Sequence, residues 1–173
     1  MDSFKNLIGI FAKMYNLKKI KGTFKGIIGE CLFKSTSNWV FLTRFHNRKF
    51  FFNAYQQFLT KEQITFLDNN WYSLDAIECS FKERKITIYE IKTKNKYAFD
   101  LGYKPKASAS TIIIYEKALT LGFVVKSAEV ILYENWNFCV EIKNYSKNNY
   151  CIDKPKKYDK AVIQNPGGII SEK

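Results

Sequence analysis

The chain has a single histidine, His46, and none of its four cysteines, Cys31, Cys79, Cys139 and Cys151, belongs to a C-x-x-C pair. Zinc sites and histidine-based nuclease chemistry therefore have little to build on, and the close cysteine spacing of an iron–sulfur cluster is missing. The thiols are expected to be reduced and buried. Long apolar runs are also missing: no 18-residue apolar span exists, and no basic start is followed by an unbroken apolar stretch. The sequence thus predicts a soluble intracellular, cytoplasmic protein with no signal peptide or transmembrane segment. Arginine is scarce. Arg44, Arg48 and Arg84 stand against a large excess of lysine, so the positive charge rests on ammonium groups.

That charge is substantial. Lys and Arg number 28 against 16 Asp and Glu, a formal net charge of +12, which fits a polyanionic partner: nucleic acid first, an anionic membrane surface second. Hydrophobic residues make up 46% and aromatics 17% of the 173 residues. That is enough apolar material to exclude general disorder and to build one domain with a sizeable core.

The stretch that looks most like chemistry is 74–96, LDAIECSFKERKITIYEIKTKNK. Asp75, Ile77 and Cys79 alternate with Ala76, Glu78 and Ser80, as the period-two geometry of a strand requires. A charged turn, 82–85, breaks the pattern, and a β-branched strand resumes over 86–93, so the two segments read as a hairpin. Ile86, Ile88, Glu90 and Lys92 share a face of the second strand, and the first can bring Asp75 alongside. Two carboxylates converging beside a lysine form a hard-oxygen site suited to Mg²⁺, with the lysine placed to orient a water. The letters E-I-K recur at Glu141-Ile142-Lys143. There the preceding strand offers no aspartate at hairpin distance, and the second copy reads as a sheet strand with solvated charges.

Asp75, the charged hairpin and Glu90-Ile91-Lys92 resemble the PD-(D/E)xK nuclease superfamily, although Leu74 stands where the family often has proline. Upstream, Gly26-Ile27-Ile28-Gly29-Glu30 resembles the first helix of these enzymes, nearest the archaeal Holliday-junction-resolvase-like and archaeal viral nucleases. The resemblance implies a restriction-endonuclease-like α/β/α sandwich with a mixed central sheet, spanning about residues 22–143. It further implies that Asp75, Glu90 and the Ile91 carbonyl hold Mg²⁺ or Mn²⁺, that Lys92 positions the attacking water, and that Glu30 supports the ion. Without the resemblance, Glu30 reads equally as an acid in the opening turns of a helix, favoured there by the macrodipole.

The remaining organisation is expected as follows. Residues 1–21 form an amphipathic helix (Phe4, Leu7, Ile8, Phe11, Tyr15) and a basic linker, with a loop over 21–26 entering the next helix. The core runs over 22–145 with an insertion at about 35–70. Within the insertion, 38–44 and 49–58 read as strands or helices alike, and Thr60-x-x-Gln63 opens a short helix as a capping box. Ser108 or Ser110 opens a helix closed by Gly122, and 123–133 and 138–145 make a second hairpin. Residues 146–173 form a basic tail. Lys25, Arg44, Arg48, Lys94, Lys96, Lys104 and Lys106 are the candidate phosphate contacts, and Tyr97, Phe99 and Tyr103 serve either base stacking or the core.

The function expected is a metal-dependent DNA endonuclease acting on branched or distorted duplex, as a homodimer. A catalytically silent nucleic-acid-binding protein, an RNA-processing nuclease, and a peripheral membrane or virion component using the N-terminal helix are the other classes.

Overall fold

The computed structural model describes residues 22–37, 39–133 and 137–152. The expected N-terminal amphipathic helix and most of the basic tail lie outside them. The described residues form α1 (Gly22–Ser35), then β1 (Val40–Leu42), α2 (Arg48–Tyr55), α3 (Lys61–Asn70), β2 (Ala76–Ser80), β3 (Lys85–Asn95), α4 (Lys96–Asp100), β4 (Lys106–Ala107), α5 (Ala109–Thr120), β5 (Val124–Leu132), β6 (Phe138–Asn144) and β7 (Cys151–Ile152).

The alternating segments on either side of the charged turn pair as an antiparallel hairpin, β2 with β3, in the register Ala76↔Tyr89 to Ser80↔Lys85. Arg84 closes the turn at φ 51. Around this hairpin the sheet runs β1-β2-β3-β5-β6. All of its neighbours are antiparallel except β3 and β5. Parallel strands need a long crossover, and here α4, β4 and α5 supply it. Ser108 caps α5 by accepting from the Thr111 N–H at 3.1 Å, and Gly122 ends the helix at φ 81, where a side chain would be strained.

Both faces of the sheet are covered, which is why four successive residues of β3, 88–91, are all buried. On one face Ile77, Ile88 and Val125 pack against Phe51 and Tyr55 of α2, Leu67 of α3, Trp71, and Tyr115 of α5. On the other, Tyr89, Ile91, Ala128 and Val130 meet Leu32 and Phe33 of α1. The fold is therefore mixed α/β, a five-stranded mixed sheet with helices.

Two undecided stretches resolve by pairing and capping. Val40–Leu42 is a strand because it extends the sheet on β2. Residues 48–55 are helical because the Asn47 side chain accepts from the Lys49 N–H at 2.8 Å. The Thr60–Gln63 capping box is present at the start of α3. One expectation is corrected: no loop occupies 22–26, since α1 already begins at Gly22. Glu30 is consequently mid-helix and gains nothing from the N-terminal end of the macrodipole. The expected tail starts with residues that dock on the domain, with Tyr150 buried and Cys151 and Ile152 pairing with β4. Of the cysteines only Cys79 is fully buried, and Cys151 is exposed. Among the described residues no helix is long and apolar enough to cross a membrane.

Candidate active site

Asp75 stands one residue before β2, and the hairpin register, continued by one pair, sets it directly across from Glu90. Its position is held on three sides. Its carbonyl accepts from the Thr43 N–H at 3.2 Å, its own N–H donates to the Tyr115 hydroxyl at 3.3 Å, and its Oδ2 accepts from the Ile91 N–H at 2.7 Å. Because a strand residue points its N–H and its carbonyl to the same side, the Ile91 carbonyl opens toward the same space as the Asp75 carboxylate.

Glu90 is almost wholly buried, 1% exposed. Its Oε1 makes an ion pair with Lys92, the residue two along on the same face. Glu30 reaches the site from α1. Gly29 makes this possible: a Cβ there would overlap Thr93 Oγ1 of β3, so only glycine lets the helix lie this close to the strand. Glu30 is buried, has Arg44 at 3.5 Å from Oε1, and leaves Oε2 without a hydrogen-bond partner.

Electrostatically the site is short of positive charge. Burial, then the Glu90 charge, pushes the Asp75 carboxyl up to about 8, against the pull of Lys92 and the Ile91 N–H. Burial also raises Glu30, with Arg44 and then Lys92 opposing it. Burial would lower Lys92, but Glu90 and Asp75 together raise it. Two like charges directly opposite in a sheet repel, and the unpartnered Glu30 Oε2 is costly to bury. The arrangement favours an added cation or an added proton. Among the described residues, however, no three His, Cys, Asp or Glu side chains are gathered closely enough to hold a metal ion as they stand.

The structure thus brings Asp75, Glu90, Lys92, Ile91 and Glu30 together. It also places two residues that sequence reasoning did not assign to the site. Tyr115 is fully buried on α5. Its hydroxyl donates to the Tyr89 carbonyl at 3.2 Å, accepts from Asp75, and lies within reach of the Glu90 carboxylate. An aromatic in an apolar helix carries no sequence signal for such a role. Arg44 was a candidate for phosphate binding, yet it sits beside Glu30 as the counter-charge.

The other basic candidates divide. Lys25, Lys94, Lys104 and Lys106 line one cleft of about 330 Å³, together with Lys92 and Tyr103 and with no acidic side chain. The cleft therefore begins at the acid site. Within it Lys94 pairs with Glu129 at 3.0 Å, both side chains nearly buried, and Lys104 donates to the Asn148 carbonyl. Lys96 pairs with Asp100 beside the Phe99 ring. Arg48 lies apart, paired with Asp68 at 3.1 Å. Tyr97 and Tyr103 are exposed, not core. The larger cavity, about 590 Å³ between α3 and α5, holds none of the site residues. His46 bonds the Leu42 carbonyl through Nδ1 and packs on Phe41. Compared with protein-family profiles, with curated proteins and with solved structures, the chain matches none.

Proposed function

We propose that this protein is a divalent-metal-dependent DNA endonuclease of the PD-(D/E)xK type, its sheet and helices forming the α/β/α sandwich of that superfamily. The observation that carries the reading is the cross-strand pair Asp75–Glu90, with Glu90 buried, the Asp75 carboxyl raised by burial and by the Glu90 charge, and Lys92 and Glu30 alongside. The residues fit a hard cation: every donor is oxygen, and Glu30 Oε2 is buried with no hydrogen bond.

Asp75, Glu90 and the Ile91 carbonyl would hold Mg²⁺ or Mn²⁺, with Glu30 supporting from α1. When bound, the ion supplies Lewis acidity toward a phosphate oxygen and a water of lowered pKa. Lys92, two residues along from Glu90 on the same face, would orient the attacking water. Tyr115 fixes Asp75 through its backbone N–H, so the carboxylate is aimed before substrate arrives. The lysine-lined cleft beginning at Lys92 tracks the phosphodiester backbone without reading sequence, which suits selection of branched or distorted DNA by shape.

The Lys92–Glu90 ion pair favours one second reading, a catalytically silent nucleic-acid-binding protein on the same fold, since the pair neutralises the carboxylate a metal needs. Cleavage of a labelled panel (linear duplex, single strand, flap, four-way junction, RNA) in Mg²⁺, Mn²⁺ or EDTA separates the two. Metal-dependent cutting of DNA that falls by at least about a hundredfold in Glu90→Ala is expected. Salt-sensitive binding with no cutting in any metal would instead establish the silent reading.

A further inference from the structure

Of the two strands that end the five-stranded sheet, β1 is three residues long and β6 is seven. Among the described residues no strand pairs with the outer edge of β6. A long edge is a row of unpaired N–H and carbonyl groups, and proteins usually blunt it or pair it. The centre of this one carries Glu141, Ile142 and Lys143, with Ile142 49% exposed. We propose that β6 pairs antiparallel with β6 of a second copy of the chain, about a two-fold axis at Ile142.

Symmetry does most of the selection. In a two-fold antiparallel pair one residue must face its own copy, and the others face residues an equal number of places away on the other side. Four central positions are available. Centring on Glu141 or on Lys143 sets like charge against like. Centring on Val140 leaves both charges opposite uncharged residues. Centring on Ile142 sets Glu141 of each copy opposite Lys143 of the other, twice, and apolar Ile142 against itself. The strand is therefore self-complementary in one register, and cross-strand pairs of this kind are what stabilise a sheet.

A second observation asks for the same cation. On the inner side Glu141 stands directly across from Glu129 of β5, a like-charge pair. Glu129 is answered by Lys94 at 3.0 Å, and among the described residues Glu141 pairs with its neighbour Lys143, also at 3.0 Å and more than half exposed. Lys143 of the second copy would approach Glu141 from the open side, in line across the sheet. The same axis would place both Glu90–Lys92 pairs on one face of the joined sheet, five strand spacings or roughly 24 Å apart.

The test is the mass of the full chain in solution, by sedimentation or light scattering over a micromolar concentration series. Wild type is expected to be a dimer, and Glu141→Lys or Lys143→Glu alone to weaken it by about tenfold or more. An equimolar mixture of the two single variants restores opposite charges at both positions and should dimerise again, as should the doubly reversed chain. Lys143 is exposed and Glu141 half-buried at the sheet edge, and recovery on mixing would also show that each variant is folded. A monomeric wild type, single variants that dimerise as well as wild type, or a mixture that stays monomeric would each overturn the proposal. None of these outcomes depends on cleavage, so this surface and the nuclease reading fail separately.

Discussion

Two strands of one sheet carry the same three letters, and both form the same ion pair within the strand: Glu90 with Lys92 in β3, Glu141 with Lys143 in β6. Everything else about them differs. In the middle of the sheet Glu90 is 1% exposed, faces Asp75 across the hairpin, and has Tyr115 above it and Glu30 arriving from α1. At the sheet edge the Glu141 side chain is 39% exposed and water can solvate it. Burial converts a surface ion pair into a site, because a carboxylate removed from water has to find a cation, a proton or a donor. The motif supplies the groups, and its position in the sheet decides what they do.

The contrast can be broken first at Asp75. Folded, its carboxyl titrates at about 8, against an ordinary 3.8. The folded protein then keeps a proton that the unfolded chain has already released. Without metal, stability is full below about pH 4 and falls as pH rises toward 8, by several kcal/mol for a shift of this size. Melting temperatures recorded across that range should show this slope. Asp75→Asn should flatten it, and Mg²⁺ should raise the wild-type melting temperature most at the alkaline end. A slope unchanged in the variant would place the titration elsewhere.

A smaller effect is expected at the helix that delivers Glu30. Gly29→Ala forces a methyl onto Thr93 and should lower stability by about 1–3 kcal/mol in chemical denaturation. Gly26→Ala, in the same helix but with no atom within 4 Å of the added carbon, should be neutral or stabilising by about 0.5–1 kcal/mol. Smaller still is the hydroxyl. Tyr115→Phe keeps the ring and leaves the Asp75 N–H and Tyr89 carbonyl unpaired, a loss of about 1–2 kcal/mol. Glu141→Ala at the sheet edge should change the stability of the monomer by less than about 0.5 kcal/mol. Equal losses at Tyr115 and Glu141 would erase the distinction between the two triplets.

Much of this was legible before any coordinates. Period two on both sides of a charged turn gives the hairpin, and the hairpin alone puts Asp75 beside Glu90. Capping letters mark the starts of α3 and α5. The start of α1 was not legible, because glycines at 22 and 26 read as a loop by local propensity. Packing on β3, which needs Gly29, outweighs that cost. Residues 38–58 were undecided because short apolar runs have no distinguishing period. What fixes them is a partner strand and an Asn47 cap. Tyr115 and Arg44 were missed for a common reason: each acts through a neighbour distant in sequence, Asp75 for one and Glu30 for the other, and a linear pattern does not record such neighbours.

The parallel pairing of β3 with β5 also sets an order of events. The hairpin can close on local contacts, so Asp75, Glu90 and Lys92 can meet early in synthesis. They remain three solvated side chains until α5 has crossed over and β5 has filled the gap beside β3. Only then does Tyr115 seal one face and α1 the other. Non-local closures of this kind are the slow ones in folding. A chain still emerging from the ribosome therefore carries the letters of the site without its buried environment, which forms only when β5 is in place beside β3.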